Sequence, residues 1–213
     1  LAIIEQRAEE LGADVFVCGE DFSAEMQRCS AGGQQVAFHS LVCRESEPYP
    51  LALAGGYQAE NAALVIMAAK LLEREDTRFT EAALRTGLRS VRHPARFEIL
   101  AHTDGNIVID GAHNPAGMQA LRAGLDCYFP DAPRVFLLGI LKDKDIDAML
   151  AALLRPGDQV VTVRPNSERA AGADVVAAVA AGMGADTVAC ADRQVGLAEA
   201  QRRARACGAV LVV

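Results

Sequence analysis

The chain has 213 residues, 51% apolar and 23% charged, and can bury a substantial core without disulfide or metal staples. Its formal charge of −7, with 21 Lys and Arg scattered along the sequence, argues against a general nucleic-acid binder, whose affinity rests on clustered positive charge. Its apolar runs are too short to cross a bilayer, and its six cysteines lack any Cys-x-x-Cys spacing, which disfavours a metal or disulfide framework and fits a reduced, cytoplasmic compartment.

The first dozen residues carry Glu5, Arg7, Glu9 and Glu10 between apolar positions and read as an amphipathic helix, not a secretory leader. Leu stands first where Met would be expected, which suggests an excised fragment. After a turn at Gly12, a strand is expected over 13–18. Short strands follow over 34–39 and 49–53, with Gly32–Gly33 and Glu47–Pro48 as turn signals. Ala, Leu and Met at helical spacing predict a helix over 58–72. A second helix is expected over 80–87, capped by Thr80 and closed by Gly87. The pattern breaks near 90–95, where His93–Pro94 disfavours helix, so residues 1–91 and 92–213 read as two domains.

From residue 96 strands and helices alternate. Strands over 96–102 and 106–110 form a hairpin around Asp104–Gly105, a strong turn dipeptide. Helices over 115–128, 146–154, 173–182 and 193–207 interleave with strands over 134–139, 159–163, 187–190 and 209–213. Continuous apolar runs such as Val135-Phe-Leu-Leu138 are what strands buried on both faces look like. The fold class is α/β: a Rossmann-like open, mostly parallel sheet flanked by helices, preceded by the tail of another domain.

The segment Ile107-Val-Ile-Asp110-Gly-Ala-His113-Asn114-Pro115 carries the most chemistry. An apolar strand ends in a carboxylate, and a small-residue turn follows. Asn114 and Pro115 then supply a helix cap and first turn. Ligands of open α/β sheets gather at the carboxyl ends of strands, so Asp110 and His113 stand where a ligand would be held. A carboxylate there can bind ribose hydroxyls, and an imidazole can meet an anion or a base. The plain alternative is that Asp110 accepts loop N–H groups and Asn114 only caps. The sequence contains no Gly-x-x-x-x-Gly-Lys phosphate loop and no Gly-x-Gly-x-x-Gly dinucleotide fingerprint.

Asp110-Gly-Ala-His113-Asn114-Pro115 after an apolar strand resembles the C-terminal signature of folylpolyglutamate synthases, within the Mur ligase superfamily. The wider superfamily usually has Tyr where this chain has Gly111. Three further segments agree, in order. Gly56-Tyr-Gln58-Ala-Glu-Asn61-Ala62 is similar to the Gly-x-x-Gln-x-x-Asn-Ala helix start of the family's central ATPase domain. Arg96-Phe-Glu98 is similar to its Gly-Arg-x-Glu strand, and Asp143-Lys144-Asp145 to its Asp-Lys-Asp turn.

The resemblance implies an ATP-dependent ligase that activates a dihydropteroate or folate as an acyl phosphate, which the amine of L-glutamate then attacks. It puts ATP, with Mg2+, between a central and a C-terminal domain, here residues 1–91 and 92–213. By the same resemblance Asn61 contacts adenine, Arg96 the γ-phosphate and Asp110 the ribose. His113 lies at the nucleotide or the glutamate, and Lys144 on the glutamate side, so Arg96, His113 and Lys144 are the catalytic candidates. The family's phosphate loop, magnesium ligands and activating lysine are absent, so the fragment alone is expected to be inactive. The intact enzyme is expected to be a cytoplasmic monomer acting on small molecules, without nucleic-acid or membrane partners. Tyr57, Ala95 and His93 depart from the family's usual His, Gly and Trp. Plainer readings pair Asn61 with a neighbouring turn, Arg96 with a surface carboxylate, and leave Lys144 in a solvated charge cluster. Two other functions fit the same features: a cell-wall precursor ligase of the Mur type, disfavoured by Gly111, and a non-catalytic α/β module binding a nucleotide or a partner.

Overall fold

The structure, a computed structural model, describes residues 1–30, 32–43, 47–102 and 105–213. Its backbone divides into two compact units. The first comprises Leu1–Arg28, Gly33–Ala52 and Tyr57–Val91; the second comprises Cys29–Gly32, Leu53–Gly56 and Arg92–Val213.

In the first unit, helix α1 (Ala2–Leu11) stops at Gly12, whose φ of 63° suits a residue without Cβ and whose N–H returns to the helix carbonyls. The strand expected over 13–18 is not formed. Val17 N donates to the Asp21 carboxylate at 2.7 Å, folding the segment into a turn that leaves only the isolated bridge Cys18↔Phe22. The strand falls later, as β1 (Phe22–Ser30). Its polar residues hide it from an apolar-pattern search, because an edge strand of the sheet order β1-β2-β3 exposes much of its surface.

Strands β2 (Gly33–Ser40) and β3 (Tyr49–Leu51) pair antiparallel, with Val36 opposite Tyr49. Helix α2 (Tyr57–Leu72) buries Ala62, Ala63, Ile66 and Met67. Helix α3 (Glu81–Ser90) begins at the Thr80 hydroxyl, which accepts from Ala83 N at 3.1 Å. It runs past Gly87, where an end was expected, because Leu88 is buried on the next turn and its carbonyl accepts from Ala52 N.

The second unit opens with β4 (Glu98–His102) and β5 (Gly105–Ile109), antiparallel with Ile99 opposite Val108. Thr103 and Asp104 of the expected turn lie outside the described residues. Then follow α4 (Pro115–Tyr128), β6 (Arg134–Leu138), α5 (Ile146–Leu153), β7 (Gln159–Val163), α6 (Ala173–Gly182), β8 (Asp186–Cys190), α7 (Arg193–Cys207) and β9 (Val210–Val212). The sheet order is β4-β5-β9-β6-β7-β8, with every pair parallel except β4–β5. The last strand in sequence thus sits in the middle of the sheet.

Strand residues alternate between two cores. Val108, Phe136, Leu138, Val160 and Val212 meet Leu125, Leu150, Leu153 and Val176 of α4–α6. Val135, Leu137, Val161, Val163 and Leu211 meet Ala200 and Ala204 of α7. Each fully buried aliphatic side chain contributes about 1.5–3 kcal/mol, so this two-sided core makes a firm platform for the loops at its carboxyl edge.

Candidate functional site

Strand β5 delivers Asp110 to that edge. Asp110 N donates to Val213 O at 3.0 Å, extending the β5–β9 pairing by one residue. Its carboxylate is committed to the backbone: Oδ2 accepts from Phe97 N and Oδ1 from Ala112 N, both at 2.7 Å. The loop-organising reading of Asp110 is therefore built into the structure. Asn114 Oδ1 accepts from Gly117 N at 2.7 Å, and Pro115 takes the first turn of α4. The start of that helix, with its positive dipole end, stands beside the loop.

His113 is exposed, with Nδ1 3.0 Å from Gly111 O. A carbonyl only accepts, so Nδ1 holds the proton in this contact and Nε2 is the position left for a ligand. Asp110, His113 and Lys144 line one recess of about 130 Å³ at the ends of β5, β9 and β6, floored by Met118, Leu121 and Met149. Lys144 Nζ is 4.0 Å from Asp143 Oδ2, whereas Arg169 Nη2 holds that same oxygen at 2.5 Å. Asp143 thus answers to Arg169, whose guanidinium keeps its carboxyl below the usual carboxylate range. Asp145 caps α5, accepting from Ala148 N at 3.0 Å. The loops after β6 and β7 are tied to each other: Lys142 N donates to Arg169 O, and Ala171 N to Ile140 O.

Arg96 precedes β4 and was not expected to lie outside a strand. It is exposed and has no hydrogen-bond or ion-pair partner among the described residues, so the surface ion pair considered for it is not formed. Its neighbours Ala95 (φ 55°) and Phe97 (φ 48°) are the non-glycine residues with positive φ among those described. Each such residue costs on the order of 1–3 kcal/mol and persists only where its surroundings over-determine it. Here they do. Ala95 N donates to Glu98 Oε2 at 3.0 Å, Gly111 N donates to Ala95 O at 2.8 Å, and Phe97 N is held by Asp110. A Cβ at Gly111 would lie 3.3 Å from Ala95 O and 4.0 Å from Arg96 Nη1, so the guanidinium comes over the same loop that carries Asp110 and His113.

Arg96, Asp110, His113 and Lys144 are thus gathered at one edge of the second unit. Asn61 lies on α2 of the first unit, where its Nδ2 donates to Gln58 Oε1 at 3.2 Å, a contact within the helix. Three residues to which the sequence reading gave no role, Phe97, Gly124 and Tyr128, also shape the site. The ring of Phe97 is buried, with 1% exposed, and packs on Gly124 and Tyr128. Nothing in apolar spacing marks Phe97 as the anchor of a left-handed turn.

The sequence profile described as Mur ligase, glutamate ligase domain matches residues 95–213. The chain belongs to the Mur ligase family. It is 35% identical over 177 residues to the dihydrofolate synthase/folylpolyglutamate synthase of Mycobacterium tuberculosis, covering 81% of this chain and 36% of that relative. It is 33% identical over 149 residues to the folylpolyglutamate synthase of Lacticaseibacillus casei, covering 70% and 34% respectively. The structure of Mycobacterium tuberculosis folylpolyglutamate synthase complexed with ADP superposes with a TM-score of 0.80 at 26% identity, over 100% of this chain and 48% of that one. This Mur ligase chain spans roughly a third of those curated relatives and about half of the solved one. Among its described residues no group of three or more His, Cys, Asp and Glu side chains is placed to hold a metal ion, and no helix is long and apolar enough to cross a membrane.

Proposed function

We propose that this chain is the C-terminal part of an ATP-dependent ligase that joins L-glutamate to dihydropteroate or a folate through an acyl phosphate. Supporting this reading is the gathering of Arg96, Asp110, His113 and Lys144 at the carboxyl edge of a sheet in a Mur ligase chain. In the reaction, a carboxylate oxygen of the acid attacks the γ-phosphorus and ADP departs. The glutamate amine then attacks the acyl carbon, phosphate leaves, and the amine loses its proton.

The chain's own residues bind and orient in this scheme. Arg96, unpaired and fork-shaped, meets the charge that spreads over the transferring phosphoryl oxygens. Asp110 holds the loop, and with it the segment bearing Arg96, and stands beside the ribose. His113 offers Nε2 to the nucleotide or the incoming glutamate, and Lys144 offers a cation to a glutamate carboxylate. Asn61, in what would be the tail of the central ATP-binding domain (1–91), contacts adenine. The glutamate-ligase domain is 92–213. Mg2+ would accompany the nucleotide, but the described residues offer it no ligand set, and no step here runs through it. The intact enzyme works as a monomer in the cytoplasm.

The test is ATP-dependent phosphate release by the complete protein carrying this chain, with dihydropteroate or tetrahydrofolate plus L-glutamate. Release should need both substrates and fall at least about tenfold in Arg96→Ala, the scale of losing one transition-state contact. Release without a folate, or full turnover in Arg96→Ala, overturns the reading. Turnover with a muramyl acid in place of the folate would reassign the chain to the cell-wall branch.

A further inference from the structure

The recess, the tied loops and the capped helices serve the site already described, but the strap at 95–97 poses a separate question. An exposed arginine with no partner is ordinarily a mobile side chain on a relaxed backbone. Arg96 instead stands between two left-handed residues, neither of them glycine. Such a conformation must be held from outside, and the backbone hydrogen bonds to Asp110, Glu98 and Gly111 supply only the polar half of that hold.

The other half is apolar. Phe97 turns its ring into the core of the second unit and lays it against α4, where Gly124 leaves room for it. A Cβ at Gly124 would meet Phe97 Cε2 at 2.5 Å and Cζ at 2.9 Å, closer than any real side chain tolerates. The Tyr128 ring, one helical turn on, closes the seat with centroids 5.3 Å apart. Gly124 is mid-helix, where glycine is unfavourable for helix formation. The close ring contact is the feature of the structure that accounts for it.

We propose that Phe97, seated on Gly124 and Tyr128, is a positioning residue for Arg96. With the ring locked on α4 and the amide locked on Asp110, the φ of Phe97 cannot relax, and Arg96 leaves the strap in one direction, over the Asp110–His113 loop. The guanidinium is aimed by the backbone, with no side-chain partner to be displaced when an anion arrives. This role rests on the proposed function of Arg96, and the test separates the two.

The experiment is a double-mutant cycle in the complete protein carrying this chain, reading kcat and the KM for ATP and normalising to folded protein by thermal melt. Gly124→Ala, which unseats the ring, should lower kcat about ten- to hundredfold, as small misplacements of a catalytic group do. The KM for ATP should stay nearly unchanged. Phe97→Leu, which keeps the apolar filling but loses the flat contact, serves where Gly124→Ala fails to fold, and should show the same split. In an Arg96→Ala background either change should lower kcat less than about twofold further, because partners acting through one group are not additive. Equal losses in both backgrounds would make the seat merely structural and overturn the inference. Full turnover in Arg96→Ala alone would instead overturn the role of Arg96.

Discussion

The two units bury their apolar residues to different degrees. In the second, neighbouring strand residues such as Val135 and Phe136 point into opposite cores, and both are fully buried. In the first, α1 buries no residue, and Ile3, Ile4 and Leu11 stand in solvent together with Leu64 and Val65 of α2. A strained strap such as 95–97 survives only on a platform stable enough to hold it, and the second unit supplies that platform.

Substitutions in either unit test this contrast. The largest effect is expected at Arg122, whose guanidinium reaches Asp158 at 2.9 Å and Leu153 O at 3.2 Å while nearly buried. Arg122→Ala leaves the largely covered Asp158 carboxylate without this cation and should cost about 3 kcal/mol in chemical denaturation, the low end for breaking a buried pair. The matching change in the first unit, Arg7→Ala, breaks an exposed pair with Glu10 and should cost under about 1 kcal/mol. Equal losses would contradict the contrast.

The helix caps should not distinguish the units. Thr80→Ala and Asn114→Ala each remove one side-chain acceptor from a helix start and should each cost about 1 kcal/mol. A much larger loss at Asn114 would mean that its cap also fixes the recess.

A smaller effect belongs to alkaline pH. Burial pushes the Tyr128 hydroxyl up to about 12, above its ordinary value near 10. A raised folded value means that its contribution is whole below pH 10 and is lost as pH rises through 12. Stability should fall across that window, one tyrosinate absorbance step should come late, and Tyr128→Phe should remove both. Ile4→Ser should change least. The residue is 64% exposed, so a shift beyond about 0.5 kcal/mol would show that α1 packs on something in solution.

Much of the framework around the candidate site was legible because its signals are local. Asn114 followed by Pro115 marks a helix start whichever way the chain folds around it, and Thr80 and Asp145 cap as their residue types suggest. The carboxylate at the end of an apolar strand located the loop, and the order of the motifs located its relatives. Gly87 misled because Leu88 repays the helix for continuing. Residues 13–18 misled because Asp21 turns the backbone before a strand can pair.

The α/β alternation of the second unit, the helix starts and the identity of the strand-end residues are readable from the residues alone, since each follows from spacing or from a side chain acting on its own backbone. Long-range contacts place β9 between β5 and β6, bring the Asp110 carboxylate to the amides of Phe97 and Ala112, and set Arg96 on a left-handed strap. Those depend on partners far along the chain: Val213 for Asp110, and Gly124 for Phe97. A contact between residues distant in sequence leaves no mark on the spacing around either one.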